Sequence, residues 1–553
     1  MHDEESVQAI LESYSNKSIG NALRAGGERP NQHILTMIKV ADFHAELAQR
    51  DFAGVRKHPK GVAKVMCLGI GRLLPEMMKA NSADAGISLP AAEVEFQAVR
   101  TSLMETGQLL DLKTLAEAEE YKLVACRVCG PDEVEIRKVA ASEEALEHRD
   151  RDALLDAEHN ERSDNRKRID KLFEQAWHAR FAAGPAGDSQ ALAAFREAGR
   201  QYLEFFASEY AEADAFADGT EIGPLTFAQW KQIVVNVCSL AFAKAWLEEI
   251  TLMEQRRFNP LGFLTLIPTQ ISDAELRECF RVPGVPEQPE LFEKVKACLV
   301  LGEENAKLDY GPDGAIPCLV SLGDAVFAPR YSRLGNPYMF LVQRLAKIYS
   351  FQMRRILAER ESEFQDEIAT LLRSNHYLFG ESNVKLLKEE QILTDIDLVV
   401  YERSTNCLYL IQLKWLAVYA RELARREKQY DELLNKAGGW VQKVASWVGK
   451  VGPDNVLRTV GLGDDAIDPA KLTVRLLVLN RWWARFSGKE PFNAQAAWLS
   501  WSRLKLLARE VPSGSAPLDY IYLSAQSMPL PVFTPVTTPK PYTIADLTVN
   551  VYT

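Results

Sequence analysis

Apolar residues recur at three- and four-residue spacing across residues 7–24, 33–49 and 62–79, a period that predicts amphipathic helices in the first part of the chain. Residues 121–140 break that rhythm. There YKLVACRVC and EVEIRKVA flank Gly130-Pro131-Asp132, the pattern of a small β-hairpin set among helices. Charges of both signs dominate 143–171, which predicts one long solvated helix, and Gly184-Pro185-Ala186-Gly187-Asp188-Ser189 reads as a loop or linker. Helical spacing resumes over 190–254. Its most apolar stretch, 233–247, is interrupted by Asn236 and Lys244 and falls short of the ~20 residues that span a bilayer, so it is read as a buried helix. A proline- and glycine-rich stretch with short runs such as 315–322 then points to mixed α and β structure. Helical periodicity returns and leads into a long helix over 345–374, with a domain boundary near residue 350.

Over 361–415 the order becomes helix, loop, strand, turn, strand. IDLVVYE (396–402) and CLYLIQLKW (407–415) are rich in β-branched, aromatic and aliphatic residues, and Arg403-Ser404-Thr405-Asn406 separates them. If this turn pairs Glu402 with Cys407, the antiparallel ladder sets Asp397 opposite Gln412, and alternation puts Lys414 on the same face. Asp395 would share that face as a rival or additional ligand. A carboxylate, a second oxygen donor and a lysine held together suit phosphodiester hydrolysis. The oxygens can hold Mg²⁺ or Mn²⁺, which polarises the phosphoryl group and acidifies water, while the lysine orients that water or stabilises developing charge.

Asp397 followed by Gln412-Leu413-Lys414 resembles the PD-(D/E)xK nuclease superfamily, whose motif sets an acid at the start of one strand and (D/E/Q)-x-K on the next. ESEFQ (361–365) and LLRSNHYLFG (371–380) extend the match and resemble the nuclease domain of Shedu-type phage-defence proteins. The resemblance implies a glutamate beside the metal on this helix. Glu361 fits by motif position, with Glu363 and Glu367 in competition, and Phe364, Ile368, Leu371 and Leu372 form the apolar stripe that would dock the helix on the sheet. Gln412 departs from the usual aspartate or glutamate, as in the Mrr-like branch. Its amide oxygen can ligate magnesium but brings no charge, which lowers the expected affinity unless Asp395 or Glu361 compensates. The likeness is strong over 361–415 and loose over the rest of the C-terminal region, with later strands expected at 473–480 and 496–501; nothing before residue 350 is covered.

A net charge of −11 excludes a uniformly basic nucleic-acid binder but not a local basic groove. Such an excess lies at Lys471, Arg475, Arg481, Arg485, Lys489, Arg503, Lys505 and Arg509, where Glu490 is the one acid among them. Arg481, Arg485, Arg503 and Lys505 are the candidate nucleic-acid contacts. Seven of the ten tryptophans fall within 415–501, and core filling is weighed ahead of base stacking for them, with Trp482 or Trp483 the better candidate for exposure. Cys126-x-x-Cys129 is half a zinc knuckle without a matching second pair, Gly69-x-Gly71 lies in a helical pattern with no preceding strand, and His376 reads as a turn residue. Eight dispersed cysteines and an N-terminus without a basic-then-apolar signal predict free thiols in the cytoplasm.

The expected architecture is multidomain. A helix-rich N-terminal region with a hairpin insertion spans 1–185, a mixed α+β middle region 186–350, an α/β restriction-endonuclease-like domain 351–525, and a proline-rich tail 526–553. The resemblance implies a magnesium-dependent endonuclease acting on DNA ahead of RNA in bacterial anti-phage defence, away from membranes. The first 350 residues would then sense a trigger, restrain the nuclease, or mediate assembly with another copy or a partner protein. The rival is a catalytically silent nuclease fold that binds nucleic acid or serves as a scaffold.

Overall fold

The computed structural model describes residues 6–26, 30–49, 60–80, 93–183, 188–207, 210–254, 269–306, 315–330, 332, 336–388, 390–416, 423–463, 467–487, 493–512, 516–527 and 532–553. Residues 184–187 of the anticipated 184–189 linker, much of the proline- and glycine-rich stretch after 254, and Lys489 with Glu490 lie outside the described residues, while Asp188 and Ser189 open the helix Asp188–Phe206.

The first three predicted helices are present as Val7–Gly26, Pro30–Gln49 and Lys60–Ala80, joined by Glu93–Glu117. Gly69 and Gly107 set the packing of the last two. A Cβ at Gly69 would lie 2.0 Å from the Leu103 carbonyl oxygen, and one at Gly107 1.9 Å from that of Val65, so only glycine lets these backbones approach. The expected hairpin forms from Val124–Gly130 and Glu133–Lys138. Its partner is less local: Lys540–Ile544 and Leu547–Tyr552 complete a four-stranded sheet, with Val549 beside Val134 and Val551 beside Ile136 in a parallel pair. The proline-rich C-terminal segment thus returns to the N-terminal helices, where Leu547, Val549 and Val551 share a core with Ile10, Leu11 and Leu112.

Residues 143–171 differ from expectation. Instead of one solvated helix there are two, Glu143–Glu161 and Ser163–Ala183, and the first buries Glu144, Leu146, Glu147, Asp150 and Leu154. The middle region is mixed, as expected. The helix Phe227–Glu254 is buried along Ile233, Val234, Val237 and Leu240 and packs with a small sheet containing Leu319–Leu322 and Ala325–Ala328. Among the described residues no helix is long and apolar enough to cross a membrane. The predicted 345–374 helix is divided at Tyr349 into Pro337–Ile348 and Ser350–Leu371.

The C-terminal region is built on a five-stranded sheet in the order Ala496–Ser500, Thr473–Asn480, Cys407–Lys414, Leu398–Glu402, Tyr377–Phe379. The first three strands are parallel; Leu398–Glu402 runs antiparallel to them, and Tyr377–Phe379, antiparallel to Leu398–Glu402, again points the same way as the first three. Both faces are covered, which explains why every residue from Cys407 to Leu413 is buried and the sequence reads as a continuous apolar run. One face, with Leu408, Leu410 and Val478, packs with Trp440, Val441 and Val444. The other, with Tyr409, Ile411 and Leu479, receives Phe364 and Ile368 from Ser350–Leu371 and Leu504 and Leu507 from Trp501–Glu510.

Candidate active site

The hairpin register is the one the four-residue turn demands: Glu402 pairs with Cys407, and the ladder continues to Leu398 opposite Ile411. Asp397 interrupts the strand as a bend after Gln391–Ile396, yet its N–H still donates to the Ile411 carbonyl at 3.2 Å. The next position along places it against Gln412. The Gln412 amide nitrogen donates to Asp397 Oδ2, and the Leu413 N–H donates to the same oxygen at 2.6 Å. Burial pushes the Asp397 carboxyl up to about 6; the Leu413 N–H and Lys414 pull it down, while Glu361 and Asp395 add to the rise.

Lys414 ends its strand, so its side chain leaves the ladder at the end of the sheet. There its ammonium donates to Glu361 Oε1 and Oε2 at 3.1 and 3.3 Å. Of the three candidate acids on the preceding helix, Glu361 is therefore the one that meets the lysine. Glu367 instead binds Arg481. Asp395 is exposed, and its backbone carbonyl accepts from the Trp440 indole at 2.5 Å.

The four motif residues thus come together, with hard oxygen donors from Asp397, Glu361 and the Gln412 amide beside one ammonium. Among the described residues no three His, Cys, Asp or Glu side chains group into a ready metal cage. In this arrangement Asp397 Oδ2 is engaged by two N–H donors and Glu361 by Lys414, so ligation would require Gln412 to turn its oxygen inward and Glu361 to exchange partners.

The basic segment departs from its expected role. Arg481 is 4% exposed; its guanidinium binds Asp214 and Glu367 at 2.6 Å each and lies 4.7 Å from the centre of the Trp415 ring. It is an internal cross-link between the middle region and the C-terminal sheet, not a surface contact for nucleic acid. Arg360 reinforces that junction by donating to the Ala215 carbonyl at 3.2 Å. Arg485, Arg503, Lys505 and Arg509 face the acids Glu143, Asp150, Glu158 and Glu161. Six of the eight acids of that helix, those at 143, 144, 147, 150, 158 and 161, recur at helical spacing. That periodicity was the available signal, and mixed charge obscured it.

The tryptophans fill core, as weighed. Trp415, Trp440, Trp447, Trp483, Trp498 and Trp501 are buried, and Trp482 is half-buried with Arg151 over its ring. Cys126 and Cys129 are thiols on an ordinary strand, and His376 sits exposed before Tyr377–Phe379. Comparison with protein-family models, characterised proteins and solved structures finds no match to this chain.

Proposed function

We propose that the C-terminal region is a metal-dependent nuclease of the PD-(D/E)xK type, in its glutamine variant, which hydrolyses phosphodiester bonds of DNA. One observation carries the reading: the hairpin register delivers Asp397 against Gln412, and the lysine two residues on meets Glu361 of the preceding helix. A random D…QxK match has no reason to bring in the helix acid. The mixed sheet with helices on both faces is the architecture such a restriction-endonuclease-like domain requires.

Asp397, Glu361 and the Gln412 oxygen are the residues that would hold Mg²⁺ or Mn²⁺, and a buried carboxyl pushed up to about 6 is one that a nearby cation would stabilise. When bound, such an ion polarises the phosphoryl group and makes water more acidic. The protein groups do the rest. The Leu413 N–H fixes the orientation of Asp397, and the Lys414 ammonium, paired with Glu361 in this structure and released when Glu361 turns to the ion, would supply a positioned positive charge for the developing phosphorane. The preference for DNA and a role in anti-phage defence rest on the resemblance of residues 361–380 to Shedu-type proteins.

The competing reading, a silent nuclease fold, draws on the Gln412 amide's N–H pointing at Asp397. An assay of the full chain on single- and double-stranded DNA and RNA, with Mg²⁺, with Mn²⁺ and with chelator, separates the two. Metal-dependent cleavage that is lost in Lys414→Ala is expected. Absence of cleavage with every substrate and metal, or undiminished cleavage by Lys414→Ala, would assign the site to scaffolding.

A further inference from the structure

The parallel strands end together, with Lys414, Asn480 and Ser500 in register. Beyond that edge lie two elements that can receive anions. The backbone of the 481–487 turn presents the N–H groups of Ala484 and Ser487, and Ser500 caps the ten-residue helix Trp501–Glu510 by accepting from the Arg503 N–H at 3.3 Å. Arg485, Arg503, Lys505 and Arg509 add four cations along the same side. Backbone donors, a helix N-terminus and a row of cations beside a candidate phosphodiesterase site are the parts from which phosphate-backbone grooves are made.

Carboxylates of the helix Glu143–Glu161 occupy the N–H groups of the turn and face all four cations. Glu147 accepts from the Ala484 N–H at 3.1 Å, and Glu144 accepts from the Ser487 N–H at 3.0 Å and from its hydroxyl. Along the rim, Arg485 faces Glu143 at 3.8 Å, Arg503 faces Asp150 at 3.5 Å, Lys505 faces Glu158 at 3.2 Å and Arg509 faces Glu161 at 3.3 Å. Carboxyl oxygens spaced along a rod, each set on a backbone N–H or a cation, copy the way the phosphate oxygens of a nucleic-acid strand would be held.

The contact is poorly suited to permanent burial. Of the five residues this helix buries, three are acids, and Asp150 is only 4% exposed with Oδ2 lacking a hydrogen-bond partner; the facing Nε of Arg503 is likewise unpartnered. A permanent interface would replace such groups with apolar ones at no loss, because desolvating charge offsets most of what pairing returns. A contact that must open tolerates them.

We propose that the surface formed by the 481–487 turn and the helix Trp501–Glu510 is a groove for the phosphate backbone of a nucleic acid, and that the helix Glu143–Glu161 fills it as an internal phosphate mimic which the nucleic acid displaces. The proposal rests on the nuclease reading for its partner, but its test does not depend on catalysis. A fluorescein-labelled 30-base-pair DNA duplex is titrated into the full-length protein in chelator, and deuterium uptake of residues 143–161 is followed with and without saturating duplex. The quadruple variant Glu143→Gln/Asp150→Asn/Glu158→Gln/Glu161→Gln removes rim charge while leaving Glu144 and Glu147 in place. It is expected to bind at least tenfold more tightly than wild type, with a steeper dependence of affinity on salt as more phosphate contacts form. Adding Arg503→Gln/Lys505→Gln should abolish that gain. In wild type, duplex should raise exchange in 143–161. Unchanged affinity in the quadruple variant, a gain that survives loss of Arg503 and Lys505, or unchanged exchange on duplex binding would each overturn the proposal. Unmasked binding without metal-dependent cleavage would sustain the groove and remove the nuclease.

Discussion

Lys414 and Glu361 stand 53 residues apart in sequence and meet as an ion pair of 3.1 Å at the end of the sheet. Each is positioned by a different element, the lysine by the last residue of a buried strand and the glutamate by a helix whose Phe364 and Ile368 are locked into the core. The pair is therefore fixed by packing that neither residue supplies, as the proposed nuclease chemistry requires.

Removing the ammonium should accordingly affect chemistry far more than binding. Lys414→Ala is expected to lower the cleavage rate by about 10² or more, the scale of losing one positioned electrostatic group, with duplex affinity in chelator within about twofold of wild type. Glu361→Gln should also impair cleavage while retaining the fold. Single-turnover cleavage paired with fluorescence anisotropy on the same duplex measures both. A proportional loss of binding in Lys414→Ala would mean that the lysine only anchors substrate.

Gln412 makes a prediction that couples metal to stability. Its amide N–H caps the buried Asp397 carboxylate, and Gln412 is itself only 5% exposed. Gln412→Glu sets two carboxylates against each other in a desolvated site and removes a donor, a loss of about 1–3 kcal/mol. In chelator the variant should melt below wild type, and added Mg²⁺ should restore it more than it shifts wild type, with cleavage kept or raised at low magnesium. Gln412→Leu should be inactive. Melting curves with and without Mg²⁺ decide it: a Gln412→Glu deficit untouched by the ion would exclude Gln412 from any metal site.

The site was legible in the sequence because it is made of local rules. A four-residue turn fixes the register that sets Asp397 against Gln412, and alternation adds Lys414, whereas Glu361, Glu363 and Glu367 stayed in competition until the packing of their helix brought Glu361 to the lysine. What escaped depends on contacts between distant segments. Nothing in Arg481 itself distinguishes a phosphate contact from a buried cross-link. Its environment comes from Asp214, 267 residues away, and from Glu367. The acidic helix was misread as solvated because its buried face is charged, which hides the usual apolar stripe. The C-terminal strands read as a tail because their pairing partners lie some four hundred residues earlier.

Arg481 should therefore behave as a structural residue. Its removal leaves Asp214 and Glu367 facing each other and empties a site lined by Phe364, Trp415 and Trp501. Arg481→Ala is expected to cost about 1–3 kcal/mol, because the buried guanidinium is lost from its aromatic site while the acids left behind stay partly exposed to water. Arg481→Lys should rescue little, since a point charge cannot engage both acids in a planar fork. Chemical denaturation of the C-terminal transition reads this out. A stable Arg481→Ala that merely binds DNA less well would return the residue to the groove.

Glu147 links the acidic helix to pH. Burial is the main cause that pushes its carboxyl up to about 7; the Ser500 hydroxyl, the Ala484 N–H and Arg485 pull it down, and Asp150 pushes it further up. A folded value above the ordinary 4.5 means that the docked helix prefers the protonated form. The resulting stabilisation is fully present below about pH 4.5 and is lost as pH rises through about 7. Glu147→Gln keeps the shape and stays neutral, so it should melt with wild type near pH 5 and above it at pH 8, by the equivalent of about 2–3 kcal/mol. Arg485, Arg503, Glu143, Glu144 and Asp150 lie around the same contact but are unchanged in the variant, so the difference between the two proteins isolates Glu147. Scanning calorimetry of both proteins from pH 5 to 8 is the measurement, and a constant difference across that range would show that this carboxyl does not titrate with the docking of the helix.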